Sequence, residues 1–158
     1  MSVNRVENRL AELGFTLPEV AAPVASYVPA VTSGNYVYTS GQLPFVEGAL
    51  PETGKVNEGE GFVSPEDAKK YAAISALNAL AAVKSVIGDL DRVTKVVKVV
   101  GFVSSDPSFT AQPAVINGAS ELLGDVFGDA GRHARSAVGV PVLPLDSPVE
   151  VEIIVEYV

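Results

Sequence analysis

RSAVGVPVLPLDSPVEVEIIVEYV, residues 135–158, contains two alternating runs separated by a turn. A period of two is the signature of a strand whose two faces meet different surroundings. The first run, read over 134–142, places Arg135, Ala137 and Gly139 on one face and Ser136, Val138 and Val140 on the other, apolar, face. The second, read over 148–157, points Val149, Val151, Ile153, Val155 and Tyr157 one way and Glu150, Glu152, Ile154 and Glu156 the other. Leu143, Pro144, Leu145, Asp146 and Ser147 supply the turn chemistry between them. Paired as a hairpin, the two strands bring the Arg135 row and the Glu150/Glu152 row to the same side of a sheet.

Upstream, the pattern changes to helix. Residues 109–127 carry Phe109, Val115, Leu122 and Val126 at helical positions, although Gly124 weakens the later half. Before them, RVTKVVKVVGFV at 92–103 is dense in β-branched residues and reads as a central strand that Asp106 and Pro107 end. Ser64, Pro65, Glu66 and Asp67 form a helix start with a capping serine, proline in the first turn and an acidic residue three positions on. That helix runs to about Ile87, with Ile74, Leu77 and Ala81 on one stripe, and Gly88 stops it. The stretch 44–61 is rich in Gly, Glu and Pro and reads as a loop. Strands at 25–33 and 35–40 meet at Ser33, Gly34 and Asn35, with Val37 and Thr39 on one face and Tyr36, Tyr38 and Ser40 on the other. A short helix at 4–13 and a proline-spaced segment at 17–23 precede them. The expected fold is α+β: one mixed sheet with the two long helices packed on one face.

Composition narrows the chemistry. The chain has 158 residues, enough for one domain, and no cysteine. Disulfides, thiolate nucleophiles and cysteine-bound zinc are excluded. One histidine, His133, rules out a multi-histidine metal centre, and no G-x-S-x-G elbow accompanies it. The net charge of −8, without a basic run, argues against nucleic acid as a partner. The N-terminus lacks the apolar core of a signal peptide, and no uninterrupted apolar stretch reaches the roughly 18 residues of a membrane span. The expectation is a soluble, cytoplasmic protein with no membrane partner and no metal. Charged residues make up 19%, against about 25% in an average domain. Two readings fit that deficit: partner subunits cover apolar surface, or a monomer carries an apolar skin.

The candidate residues also carry two readings each. Arg135 beside the small Ala137 and Gly139 either grips a carboxylate with its planar fork or pairs with a sheet carboxylate. Glu150 either orients a water or is an exposed strand carboxylate. Thr39, Ser40, Gly41, Gln42, Leu43 and Pro44 either line a polar pocket or make a turn. Tyr27 is a core ring or a pocket wall, and His133 reads as a loop residue beside Arg132.

Four segments in order resemble the Rid family, also called YjgF-like and often labelled "endoribonuclease L-PSP". They are SYVPAVTSGNYVYTSGQLP (26–44), ALNALAAVKSVIG (76–88), VTKVVKVVGFVSSDPSF (93–109) and the closing 135–158 stretch. The resemblance covers about 24–158 and leaves 1–23 as an N-terminal helix and extended arm. It implies a chorismate-mutase-like fold, a homotrimer with clefts between subunits, and cofactor-independent hydrolysis of 2-enamines and 2-imines to keto acids and ammonia. By the resemblance, Arg135 holds the substrate carboxylate and Glu150 positions the water. Tyr27, Thr39, Ser40, Gly41 and Asn117 line the cleft, and Ala137 stands where many deaminating members have cysteine. The loop 45–63 is also longer than usual. A non-catalytic trimer binding a small acid would use the same arginine. Ribonuclease activity fits poorly with the acidic charge and single histidine.

Overall fold

The structure, a computed structural model, describes residues 4–20 and 26–158. Helix α1 spans Arg5–Glu12, and strands β1 (Ala30–Ser33) and β2 (Tyr36–Thr39) form a hairpin. Helix α2 (Pro65–Ile87) leads to β3 (Val93–Ser104), α3 (Gln112–Phe127), β4 (Ala134–Val140) and β5 (Val149–Tyr157). The element order is the one the sequence predicts, with ends trimmed. The first strand begins at Ala30, and residue 25 of the expected strand and the end of the 17–23 segment lie outside the described residues. The second long helix begins at Gln112, because Phe109 donates its N–H to Asp106 in a preceding turn and Pro113 takes the first-turn position. Gly124 does not interrupt it. The Asp67 N–H donates to Ser64 Oγ at 3.1 Å, a cap that contributes about 1 kcal/mol.

The sheet is mixed, in the order β1-β2-β5-β3-β4. Only β3 and β4 are parallel. The last two strands are therefore not paired as a hairpin: β3 lies between them. Helix α3 carries the chain across the sheet and returns β4 parallel to β3 at the outer edge. The slot on the other side of β3 stays open, and β5 fills it between β3 and β2. Arg135 is therefore level with Val99 and, across β3, with Ile153. Glu150 is level with Phe102 and Glu152 with Val100.

The core lies on one side only. Val37, Val96, Val99, Val103, Val149, Val151, Ile153 and Val155 are buried beneath α2 and α3. Burial of one such side chain contributes about 1.5–3 kcal/mol. Helix α2 has the length and apolar character of a membrane span, yet most of that window is buried in this core. Of its expected stripe, Leu77 and Ala81 are buried and Ile74 only partly. Gly118 of α3 permits a close approach to α2: a Cβ there would lie 1.9 Å from the Lys69 carbonyl oxygen. Helix α1 adds Val6 and Leu10 to the same core, and the Arg5 and Val6 N–H groups donate to Asp91. Among the described residues no helix covers the opposite face, where Val31, Tyr38 and Val138 are 49%, 41% and 45% exposed.

Candidate functional site

Arg135 sits on the edge strand, on the side facing α3. An edge strand has no neighbour to bury its side chains, so the guanidinium stays partly exposed. Asn117 and Ser120, one turn apart on α3, meet it there. Arg135 Nη1 donates to Asn117 Oδ1 at 2.7 Å and to Ser120 Oγ at 3.3 Å. His133 follows a 3₁₀ turn at Gly128–Gly131 and stands two residues before Arg135. Its Nε2 lies 2.8 Å from Ser120 Oγ and its Nδ1 2.6 Å from the Gly131 carbonyl oxygen.

Both partners of Arg135 are neutral. Among the described residues Arg135 enters no ion pair. Residues 1–3 and 21–25 carry no acidic side chain. The sheet carboxylate that the sequence offered as an alternative partner is thus absent among the described residues. Ala137, next on the same row, packs against the core. Gly139 admits α3 closely: a Cβ there would meet Gln112 Nε2 at 2.6 Å. Beyond it lies a recess of about 360 Å³ lined by Ser105, Phe109, Gln112 and Val140.

A second group forms at the other face. Glu150 is half-buried, and burial raises its pKa, with the charge of Glu152 adding to the shift. Gly41 lies on the carboxyl group, where a Cβ would come 2.7 Å from Glu150 Cδ. Gln42 holds it there by pairing with Val151, its N–H donating to the Val151 carbonyl at 2.8 Å and its carbonyl accepting at 3.0 Å. Ser40 Oγ donates to the Val28 carbonyl at 2.6 Å, which places Tyr27, 50% exposed, at the margin of this group. Thr39 is buried and its Oγ1 accepts the Ile153 N–H at 3.0 Å, so its hydroxyl completes the sheet.

The chain therefore brings its site residues together as two sets. Arg135, Asn117 and Ala137 belong to the helix side of the β4 edge. Tyr27, Ser40, Gly41 and Glu150 gather around the β2–β5 end, with the Glu150 row on the open face. The Arg135 row and the Glu150/Glu152 row would share one side only if the last two strands paired as a hairpin; with β3 between them they lie on opposite sides. Sequence reasoning missed Ser120 and His133 as partners of Arg135. Two signals were present: Ser120 is three residues after Asn117 on a helix, and His133 falls on the alternating row of Arg135. Among the described residues no group of three or more His, Asp or Glu side chains is placed to hold a metal.

A mixed sheet with β5 inserted between β2 and β3, helices on one face and an edge arginine defines a chorismate-mutase-like α+β protein. The chain belongs to the family described as "YjgF/chorismate_mutase-like, putative endoribonuclease", which matches residues 7–157. It is 44% identical to Protein TCP17 of Trypanosoma cruzi over 96% of this chain and 94% of that protein. The crystal structure of Atu1372 from Agrobacterium tumefaciens matches with a TM-score of 0.89 and 46% identity, covering 98% of this chain and 93% of that one. Escherichia coli TdcF with bound serine matches with a TM-score of 0.65 and 25% identity, over 89% and 94% of the two chains.

Proposed function

We propose that the protein assembles as a homotrimer, binds small amino-acid-derived carboxylates in clefts between subunits, and hydrolyses 2-imino and 2-enamino acids to keto acids and ammonia. The observation that carries this reading is Arg135: a partly exposed guanidinium, fixed by neutral Asn117 and Ser120, whose charge no described carboxylate neutralises. A planar fork held ready in this way suits a carboxylate. A relative that binds serine, an amino-acid carboxylate, supports the ligand class.

The opposite placement of Arg135 and Glu150 in one chain supports a cleft completed by a second copy. Apolar Val31, Tyr38, Phe102 and Val138 on the uncovered face suit burial against that copy. In the proposed cleft the substrate carboxylate rests on Arg135. Glu150, its pKa raised by burial, accepts a proton from water as the oxygen bonds to C2 of the imine. The proton passes from Glu150 to the nitrogen of the carbinolamine formed from the protonated imine, the C–N bond breaks, and ammonia leaves with the bonding pair while the C2 hydroxyl gives its proton back to Glu150 and closes to the carbonyl. An enamine joins this path after protonation at C3. Holding both reactants accounts for much of the rate, since the reaction requires no strong nucleophile.

The alternative is a non-catalytic trimer that senses a small acid, favoured by Ala137 at the position where the resemblance puts cysteine in many deaminating members. The test is ammonia and keto-acid release from an imino acid generated in situ by an amino-acid oxidase, alongside calorimetric binding of L-serine and pyruvate. Accelerated release supports the enzyme. Binding without acceleration transfers the reading to the sensor, and no binding of either acid removes both.

A further inference from the structure

Four groups form a line behind the clamp: Arg135, Ser120, His133 and the Gly131 carbonyl. We propose that Ser120 and His133 are positioning residues that aim the Arg135 fork at its ligand. The proposal rests on reading Arg135 as the carboxylate clamp.

The direction of each hydrogen bond follows from its end. A backbone carbonyl only accepts, so the 2.6 Å contact at Gly131 puts a proton on His133 Nδ1. A neutral imidazole then offers a lone pair at Nε2. Ser120 has one hydroxyl hydrogen, and at 2.8 Å it goes to that lone pair. The Ser120 oxygen thereby turns a lone pair to Arg135 Nη1 at 3.3 Å. The chain of donors runs one way, from Arg135 through Ser120 and His133 to Gly131.

The far end of this line is fixed. Gly131 is buried against the end of α3, where a Cβ would lie 2.4 Å from the Leu123 carbonyl oxygen. The near end uses up one corner of the guanidinium. Nη1 has two hydrogens, and Asn117 Oδ1 and Ser120 Oγ take one each. Nε and Nη2 remain, and they lie along one edge of the planar group. Two parallel donors on one edge match the two oxygens of a carboxylate. Without the relay, Asn117 alone would hold Nη1, and the plane could swing about that single contact. His133 therefore acts through Ser120 on a group it does not touch.

The experiment uses the full-length protein. His133 is the single histidine, so its imidazole nitrogen resonances are unambiguous. We expect the spectrum of the Nδ1-protonated tautomer, and a shift of the Nε2 resonance when L-serine or pyruvate is added. Ser120→Ala and His133→Phe should each weaken binding of these acids by about 5- to 20-fold, the loss of one charge-assisted or relayed hydrogen bond. His133→Gln, whose amide oxygen can take the Ser120 hydroxyl, should recover most of the loss. A role confined to holding the end of α3 would lower the unfolding temperature in all three variants without this rescue pattern. Wild-type affinity in both Ser120→Ala and His133→Phe, or the opposite tautomer, overturns the relay while leaving the Arg135 reading standing. Failure of the unaltered protein to bind either acid overturns the Arg135 reading, and the relay with it.

Discussion

The two faces of the sheet solve opposite problems with the same strands. On the helix side, valines and isoleucines of β3 and β5 alternate inward beneath α2 and α3, and a charged side chain stands at the β4 edge, where Arg135 is held by α3. On the open side, β5 presents Glu150, Glu152 and Glu156, flanked by Tyr38, Phe102 and Val138, and among the described residues no helix lies over them. The first face is finished within one chain. The second leaves apolar side chains and carboxylates exposed side by side. The proposed cleft draws one half from each face, so under that proposal it is completed only by a second copy.

The largest effect should come from the open face. Val138→Glu adds a carboxylate level with Phe102 and Glu150. Val138 is 45% exposed in the single chain, so the change costs one chain little. In an assembly it buries an unpaired charge beside another, a cost of several kcal/mol. Light scattering should show a trimer for the natural protein and a folded monomer for the variant. A natural protein that is monomeric at micromolar concentration would break the comparison at its root.

Next comes the arginine. Arg135→Ala should leave the assembly and its unfolding temperature nearly intact, because the side chain lies at an edge and enters no ion pair among the described residues. Binding of L-serine or pyruvate should fall by about 2–5 kcal/mol, roughly 30-fold to several thousand-fold. Arg135→Lys should recover part of it, since an ammonium has no fork. An unfolded Arg135→Ala would show that the residue serves the sheet.

Gly118→Ala probes the finished face. The added carbon would fall on the Lys69 carbonyl, so α2 and α3 must part, at a cost of about 1–3 kcal/mol. Gly124→Ala, on the same helix with nothing within 4 Å, should be neutral or stabilising by up to about 1 kcal/mol. Denaturant midpoints compare the two.

The fold was largely legible because its signals are local. Ser64 with Asp67 marks the start of α2, and the strict alternation of β5 separates Val149, Val151 and Ile153 from the glutamates. Strand order is a different kind of information. Nothing in the alternation at 134–140 says whether β4 lies beside β5 or beside β3, because a period of two fixes which residues share a row and not which strand lies next to it. The handed return through α3 decides it, and with it the face on which Arg135 stands. The candidates Arg135, Glu150 and Ser40 stood out as polar types at strand ends, whereas Asn117, inside α3, was named only through the family resemblance. The Arg135–Ser120–His133 line was not legible, because it joins a helix, a 3₁₀ turn and a strand whose mutual placement is tertiary.

The smallest effect concerns Glu150, and its sign distinguishes the two faces most finely. Burial, and then Glu152, raise its pKa above the ordinary glutamate value. Between the ordinary and the raised value, the folded chain holds a proton that the unfolded chain has released. Stability therefore falls as pH rises through that window and stays lower above it. Glu150→Gln removes the titration. The variant should be more stable than the natural protein at neutral pH, and the advantage should shrink as the pH drops through the raised value and vanish below the ordinary one. Urea midpoints of both proteins across that range measure it. Assembly that buries the open face further widens the gap in the same direction, unless the neighbour brings a donor to the carboxylate. A variant less stable than the natural protein at neutral pH would mean that such a donor exists, and that Glu150 is held ionised by the partner subunit at the cleft.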